Sequence, residues 1–217
     1  MEYRVVQPRS GFWLEYKLDK PLLDWLWERI DEAKGNESVK EQLAGNITES
    51  LVLEDKEGKF NSFLKNHVLS NYIEILNKWG WNDGFTPKHF KLTRLWVNFQ
   101  NKHEFNPAHK HHGKFSFVIW MKIPYDCEEQ IKLPFLNGVM EENRKAGTFE
   151  FQYMDMYGKI VNHSYMLSPE FEGRMLFFPS NLRHMVYPFY ECDEDRISIS
   201  GNIWSKPIRE KYIKYIK

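Results

Sequence analysis

A change of period near residue 82 constrains this chain's fold more than any other feature of the sequence. Upstream, apolar residues recur at helical spacing. Leu22, Leu23, Leu26, Trp27 and Ile30 follow Pro21, a residue that suits a first helical turn because its missing N–H costs nothing there. A second stripe runs Phe60, Phe63, Leu64, His67, Val68, Tyr72, Ile75, Leu76 and Trp79 until Gly80 stops it. His67 on that stripe reads as a core histidine rather than a ligand. After Asn82-Asp83-Gly84 the pattern turns to β and stays there. Alternating or wholly apolar segments at 95–100, 115–123, 148–153, 160–167, 175–178, 185–187 and 197–200 are separated by Pro and Gly. Two helices followed by seven or eight short strands predict a mainly β protein with a helical buttress (α+β), built as a sandwich or jelly roll.

No Gly/Ser- or Pro-rich joint interrupts the 217 residues, so a single domain over 1–217 is expected. Residues 1–90 would form the helical and mixed buttress, 91–205 the β core and 206–217 an amphipathic tail. Weak alternation over 1–20, with Pro8 and Gly11 as a turn, suggests a strand or two. Segments 37–58 and 124–147 are polar and aperiodic, the first with room for one short helix; both are candidate lids. Thirty basic residues balance thirty acidic ones, which leaves no footprint for nucleic acid. A mean hydropathy of −0.61 and the lack of a long apolar run argue against a membrane span. The N-terminus lacks an apolar signal-peptide core, and the two cysteines, Cys127 and Cys192, are not spaced for a zinc site. A soluble, cytoplasmic protein is the expectation.

Chemistry concentrates at Asn106-Pro107-Ala108-His109-Lys110-His111-His112-Gly113, which leads straight into the apolar strand at 115. In extended chain His109 and His111 share a face and His112 takes the other. Neutral imidazole is the commonest side-chain ligand for transition metals. A third ligand should come from a distant strand. His184, returning after Phe178-Pro179-Ser180, opens a strand in the second half of the sheet. Three facial ligands leave open positions on an octahedral ion. Twelve residues on, Arg196 and Ser198 face the same way, so a guanidinium fork and a hydroxyl can hold a carboxylate together.

Taken jointly, His109-Lys110-His111, Phe178-Pro179-Ser180, His184 and Arg196-Ile197-Ser198 resemble the 2-oxoglutarate/Fe(II)-dependent oxygenase family, whose core is a double-stranded β-helix. Trp96-Val97-Asn98, Asn106-Pro107-Ala108-His109-Lys110-His111 and Arg196-Ile197-Ser198-Ile199-Ser200-Gly201-Asn202 are similar to phage and marine bacterial members. The likeness covers residues 92–205, with a looser extension to Leu43-Ala44-Gly45-Asn46-Ile47. It implies Fe(II) as the metal, 2-oxoglutarate and O₂ as co-substrates, and Arg196 with Ser198 on the far carboxylate of 2-oxoglutarate. Succinate and CO₂ would leave as a C–H bond is hydroxylated. The substrate stays open, a small molecule or a protein side chain such as a prolyl residue, as does the oligomeric state. Asn98 is placed beside the co-substrate. His112, Asn202, Trp96 and Asp155 are placed around the site.

One position departs from the family pattern, in which the residue two after the first histidine is Asp or Glu. Here it is His111. Three arrangements are open: His109, His111 and His184 together, which is preferred; two histidines with a water or anion; or a remote carboxylate, with Asp155 the candidate. Two other readings compete. One is a cupin-like three-histidine metalloprotein that does not use 2-oxoglutarate. The other is a non-catalytic jelly-roll binding module.

Overall fold

The computed structural model describes residues 11–205. The expected turn at Pro8 and the tail from Arg209 to Lys217 lie outside the described residues. Ten strands form two antiparallel sheets: β1 (Leu14–Lys17), β2 (Glu49–Val52), β3 (Phe90–Gln100), β4 (Asn106–His109), β5 (Phe115–Lys122), β6 (Phe149–Met154), β7 (Ile160–Tyr165), β8 (Arg174–Pro179), β9 (Arg183–Val186) and β10 (Arg196–Ser205). The larger sheet runs β1-β8-β5-β10-β3-β2 and the smaller β4-β9-β6-β7. The strands anticipated within the described residues are present. The unanticipated β2 has only four residues, Glu-Ser-Leu-Val, too short to show alternation, and lies in a segment that reads as loop. Pairing with β3 makes it a strand, setting Ser50 opposite Asn98.

The larger sheet is covered on both faces, which explains why β5 reads as an unbroken apolar run rather than an alternating one. Phe117, Ile119 and Met121 face a core shared with the helices, including Leu26, Ile30, Phe60, Leu64 and Tyr72. Val118 and Trp120 face the smaller sheet and pack with Phe149, Phe151, Leu176 and Phe178. The site lies between the sheets on that second side.

Helix α1 (Lys20–Glu32) starts at Asp19, whose carboxylate accepts the Leu22 N–H and so satisfies one orphan donor. Helices α2 (Lys59–Phe63) and α3 (Ser70–Lys78) are joined through a wide π turn, Leu64–Leu69. Asp55 caps the start of α2, accepting from the N–H groups of Phe60 and Asn61. The π turn inserts one residue into the helical repeat, and the buried positions beyond it become Leu69, Tyr72 and Ile73. His67, central to the stripe on a straight α-helix, is carried out to solvent against Phe63. It is not a core histidine. Among the described residues no helix is long and apolar enough to cross a membrane.

Candidate metal centre

Strands β4 and β9 pair so that His109 stands directly opposite His184, their ring centroids 4.3 Å apart. His111 lies past the end of β4, in a turn rather than in extended strand. Its N–H donates to the Ser180 carbonyl at 2.9 Å, and the Ser180 hydroxyl donates to the Gly113 carbonyl at 2.5 Å. Gly113 sits at φ +103, a conformation that L side chains rarely adopt, and a Cβ there would meet the Ile203 carbonyl at 2.7 Å. The Phe-Pro-Ser turn after β8 thus pins the loop that carries His111. The loop returns the ring to the same cavity, 5.1 Å from His109 and 4.9 Å from His184 between centroids. One nitrogen from each of the three rings falls within 4.8 Å of the others. His112 does not turn away from the cavity, as alternation would have it. It is exposed at the rim, because the turn breaks the two-residue period.

Tautomers follow from the backbone. His109 Nδ1 donates to the Pro107 carbonyl at 2.7 Å and His184 Nδ1 to the Leu182 carbonyl at 3.0 Å, which leaves each Nε2 with its lone pair. His111 Nε2 and His184 Nε2 face each other at 3.0 Å. Two nitrogens held cis on a first-row metal at about 2.1 Å also sit about 3 Å apart. Burial holds the rings neutral, the form a ligand needs. It lowers the pKa of His109, pushes that of His111 down to about 3 and lowers that of His184 well below the usual value, with the neighbouring imidazoles adding to the last two shifts. Three neutral nitrogen donors of this geometry fit a divalent transition metal such as Fe(II).

The cavity holding these rings measures about 230 Å³. Strands β3 and β10 form its floor, in opposed pairs: Arg94 with Asn202, Trp96 with Ser200, Asn98 with Ser198, and Gln100 with Arg196. All eight residues line the cavity. Trp96 is buried with its ring 5.8 Å from that of His111, which puts the histidines level with the Trp96 row. Asn98 accepts a hydrogen bond from Ser50 at 2.8 Å, leaving its NH₂ as a donor. The amide oxygen of Asn202 is buried without a partner.

Arg196 is 2% exposed. Its guanidinium donates to the Tyr125 hydroxyl and to the Gln100 amide oxygen, and it lies 5.8 and 5.7 Å from the ring centroids of Tyr125 and Phe189. Among the described residues no carboxylate lies within 4.0 Å of it. A buried cation with neutral neighbours alone is costly, and an anionic guest would relieve that cost. Tyr125 and Gln100 are functional neighbours that the site motifs do not mark. Gln100 does share a strand face with Trp96 and Asn98, whereas Tyr125 sits in loop and gives no periodic signal.

Asp155 is not near the histidines. It closes the β6–β7 hairpin, accepting from the N–H groups of Tyr157 and Lys159. Of the two candidate lids, the segment 40–47 lines the cavity, whereas the charged residues of 124–147 do not. Lys132 pairs with Glu129, Arg144 donates to the Val139 carbonyl, and Lys145 lies 3.5 Å from buried Glu150.

Fold and site together define a double-stranded β-helix protein whose mouth gathers three imidazoles above a buried guanidinium. Residues 94–202, half of the chain, match the family model described as "Putative 2OG-Fe(II) oxygenase". The chain belongs to that family, and it is a 2-oxoglutarate-dependent oxygenase. No curated protein sequence matches it. Among solved structures it is similar to a Pseudomonas putida prolyl-4-hydroxylase at 14% identity, with a TM-score of 0.53 over 91% of this chain and 95% of that one. A viral collagen prolyl hydroxylase from Paramecium Bursaria Chlorella virus-1, in its 2OG complex, matches at 13% identity and a TM-score of 0.47, over 88% of this chain and 94% of that one. At 14% identity the likeness to the Pseudomonas putida enzyme is one of fold.

Proposed function

We propose that His109, His111 and His184 hold Fe(II), that Arg196 receives the far carboxylate of 2-oxoglutarate, and that the enzyme hydroxylates a C–H bond of a small molecule or a protein side chain, a prolyl residue included. In that reaction 2-oxoglutarate, O₂ and R–H give succinate, CO₂ and R–OH. The observation that carries the reading is the placing of three neutral imidazoles and one buried guanidinium without a carboxylate partner in a single cavity.

The chain's own residues divide the work. Pro107 and Leu182 carbonyls fix the His109 and His184 tautomers, so their Nε2 atoms need no proton loss to bind the ion. The iron, when bound, activates O₂ for oxidation of 2-oxoglutarate and substrate. Gln100 and the Tyr125 hydroxyl hold the Arg196 fork in place, and burial of that fork strengthens its grip on a carboxylate. The Ser198 hydroxyl and the Asn98 NH₂, one row from Arg196, are positioned to donate to the co-substrate. Val118, Trp120, Phe149 and Phe178 line the inner cavity and keep bulk water from it. A cytoplasmic location suits the two free thiols, Cys127 and Cys192. We further propose that residues 1–217 form one domain.

Anaerobic titration with Fe(II) and then 2-oxoglutarate tests the reading. A visible charge-transfer band, followed on exposure to O₂ by succinate formation, is expected. A protein that takes up Fe(II) but shows neither band nor succinate would refute it.

A further inference from the structure

The outer end of the β3–β10 floor carries a second guanidinium, Arg94, paired in register with Asn202. Arg94 lies six residues from Gln100 on β3 and shares its face, so the two guanidinium rows close opposite ends of one cavity. Row spacing puts Arg196 about 13 Å along the sheet on one side of the Trp96 row, and Arg94 about 7 Å on the other. The histidines lie between. Arg94 donates to the Gln42 amide oxygen, which ties it to the segment that overhangs the cavity mouth. Among the described residues no carboxylate lies within 4.0 Å of Arg94.

The mouth around it has one sign of charge. Lys40 and Lys110 line it with Arg94, whereas among the described residues no Asp or Glu lines the cavity. In a chain with equal numbers of acidic and basic residues, that segregation is local. A concave site of one sign concentrates ligands of the other. Two residues that line the same cavity, Asn106 and Asn202, have buried amide oxygens without a donor. Asn106 is pressed against Gly45, where a Cβ would fall 1.8 Å from its oxygen. The site therefore offers a fork for an anion.

Resting on the oxygenase reading, we infer that the substrate is an acid whose carboxylate or phosphate group Arg94 receives. Arg196 serves the co-substrate's anion and Arg94 the substrate's, with the metal site between them.

Calorimetry on the Fe(II)- and 2-oxoglutarate-loaded protein, kept anaerobic so that nothing turns over, tests this directly. One arm titrates free amino acids and short peptides against their C-terminal amides. The other titrates nucleoside monophosphates against nucleosides. In at least one arm the acid should bind ~10-fold or more tighter than its neutral counterpart, the effect expected of a charge-assisted fork, and the preference should fall as NaCl rises. Arg94→Met should abolish that preference and leave 2-oxoglutarate binding as in the parent. Arg94→Lys, which keeps the charge and loses the fork, should fall between the two and stands in if the first variant does not fold. Neutral compounds binding as well as acids, no acid binding in either arm, or an Arg94→Met protein with its preference intact would overturn the inference. The oxygenase reading fails separately, on loss of 2-oxoglutarate binding by the parent.

Discussion

Replacing Arg196 with methionine separates a cofactor-binding cation from a structural one. The apolar stem is kept, while the charge, both donated hydrogen bonds and the guanidinium's contacts with the Tyr125 and Phe189 rings go. Each hydrogen bond to a charged group contributes about 1.5–3 kcal/mol. A fork holding a carboxylate by two of them therefore accounts for roughly 3–4 kcal/mol after imperfect additivity, or about 10²–10³ in 2-oxoglutarate affinity. With 2-oxoglutarate at about 100 times its parental Kd, the metal-loaded parent gains ~2.7 kcal/mol of stability. For a chain of this size that is roughly 5–11 °C in Tm. At the same concentration the variant gains under ~0.5 kcal/mol, a shift of about 2 °C or less. Without 2-oxoglutarate the order changes. The parent then bears a buried cation without a carboxylate partner, so the variant should match or exceed it in Tm even though Gln100 and Tyr125 lose a donor. Thermal melts of both proteins with and without 2-oxoglutarate supply all four values. A variant that is still stabilised like the parent, or that melts far below it in the absence of 2-oxoglutarate, would make Arg196 a structural residue and refute the reasoning.

Removing one imidazole should cost the metal. His184→Ala leaves two ligands and is expected to lose stoichiometric Fe(II) on gel filtration, measured by metal analysis, whereas His111→Asp restores a carboxylate at the family's position and should retain it. Acid should destabilise the metal-free protein through the same rings. Their folded pKa values lie below the unfolded value of about 6.5, so between that value and the His111 value of about 3 the unfolded chain binds more protons. Stability is then full above about pH 6.5 and falls as pH drops through the window, with a slope that His184→Asn should flatten in urea melts; equal slopes would disprove the assignment. Gly201→Ala should cost about 1–3 kcal/mol, because the new Cβ would meet the Phe117 ring at 2.5 Å and the Arg94 carbonyl at 2.8 Å. Chemical denaturation measures that loss.

What the sequence shows and what it hides divide along one physical line. Strand identity comes from burial, and burial leaves a period, so β3, β5, β6, β8 and β10 can be read directly. The rows Trp96-Asn98-Gln100 and Arg196-Ser198 follow from the same two-residue period, which is why five of the eight floor residues are legible in the sequence. Features that depend on a one-residue slip within an element or at its end are hidden. The π turn at Leu64–Leu69 moved His67 to solvent and buried Ile73. The turn at His111 kept the ring in the cavity but brought His112 to its rim. Contacts made by loops are hidden altogether: Tyr125 reaching Arg196, or Lys145 lying over buried Glu150, rests on a tertiary fold that no local pattern encodes.

Charge links the unusual ligand set to the unusual mouth. Fe(II) and 2-oxoglutarate carry opposite double charges, so the proposed set of three neutral imidazoles would leave the loaded centre neutral where an aspartate ligand would leave it at minus one. Arg196 adds a positive charge in a low-dielectric wall, and Arg94 adds another at the entrance. On the proposed ligand set, His111 in place of a carboxylate would therefore raise the cavity by one full unit, in surroundings where unpaired charge is expensive. A cavity so charged favours a guest that brings the missing negative unit. His111→Asp would supply that unit from the protein instead, so the variant that best restores the family's ligand set should also be the one that binds an acidic substrate less well.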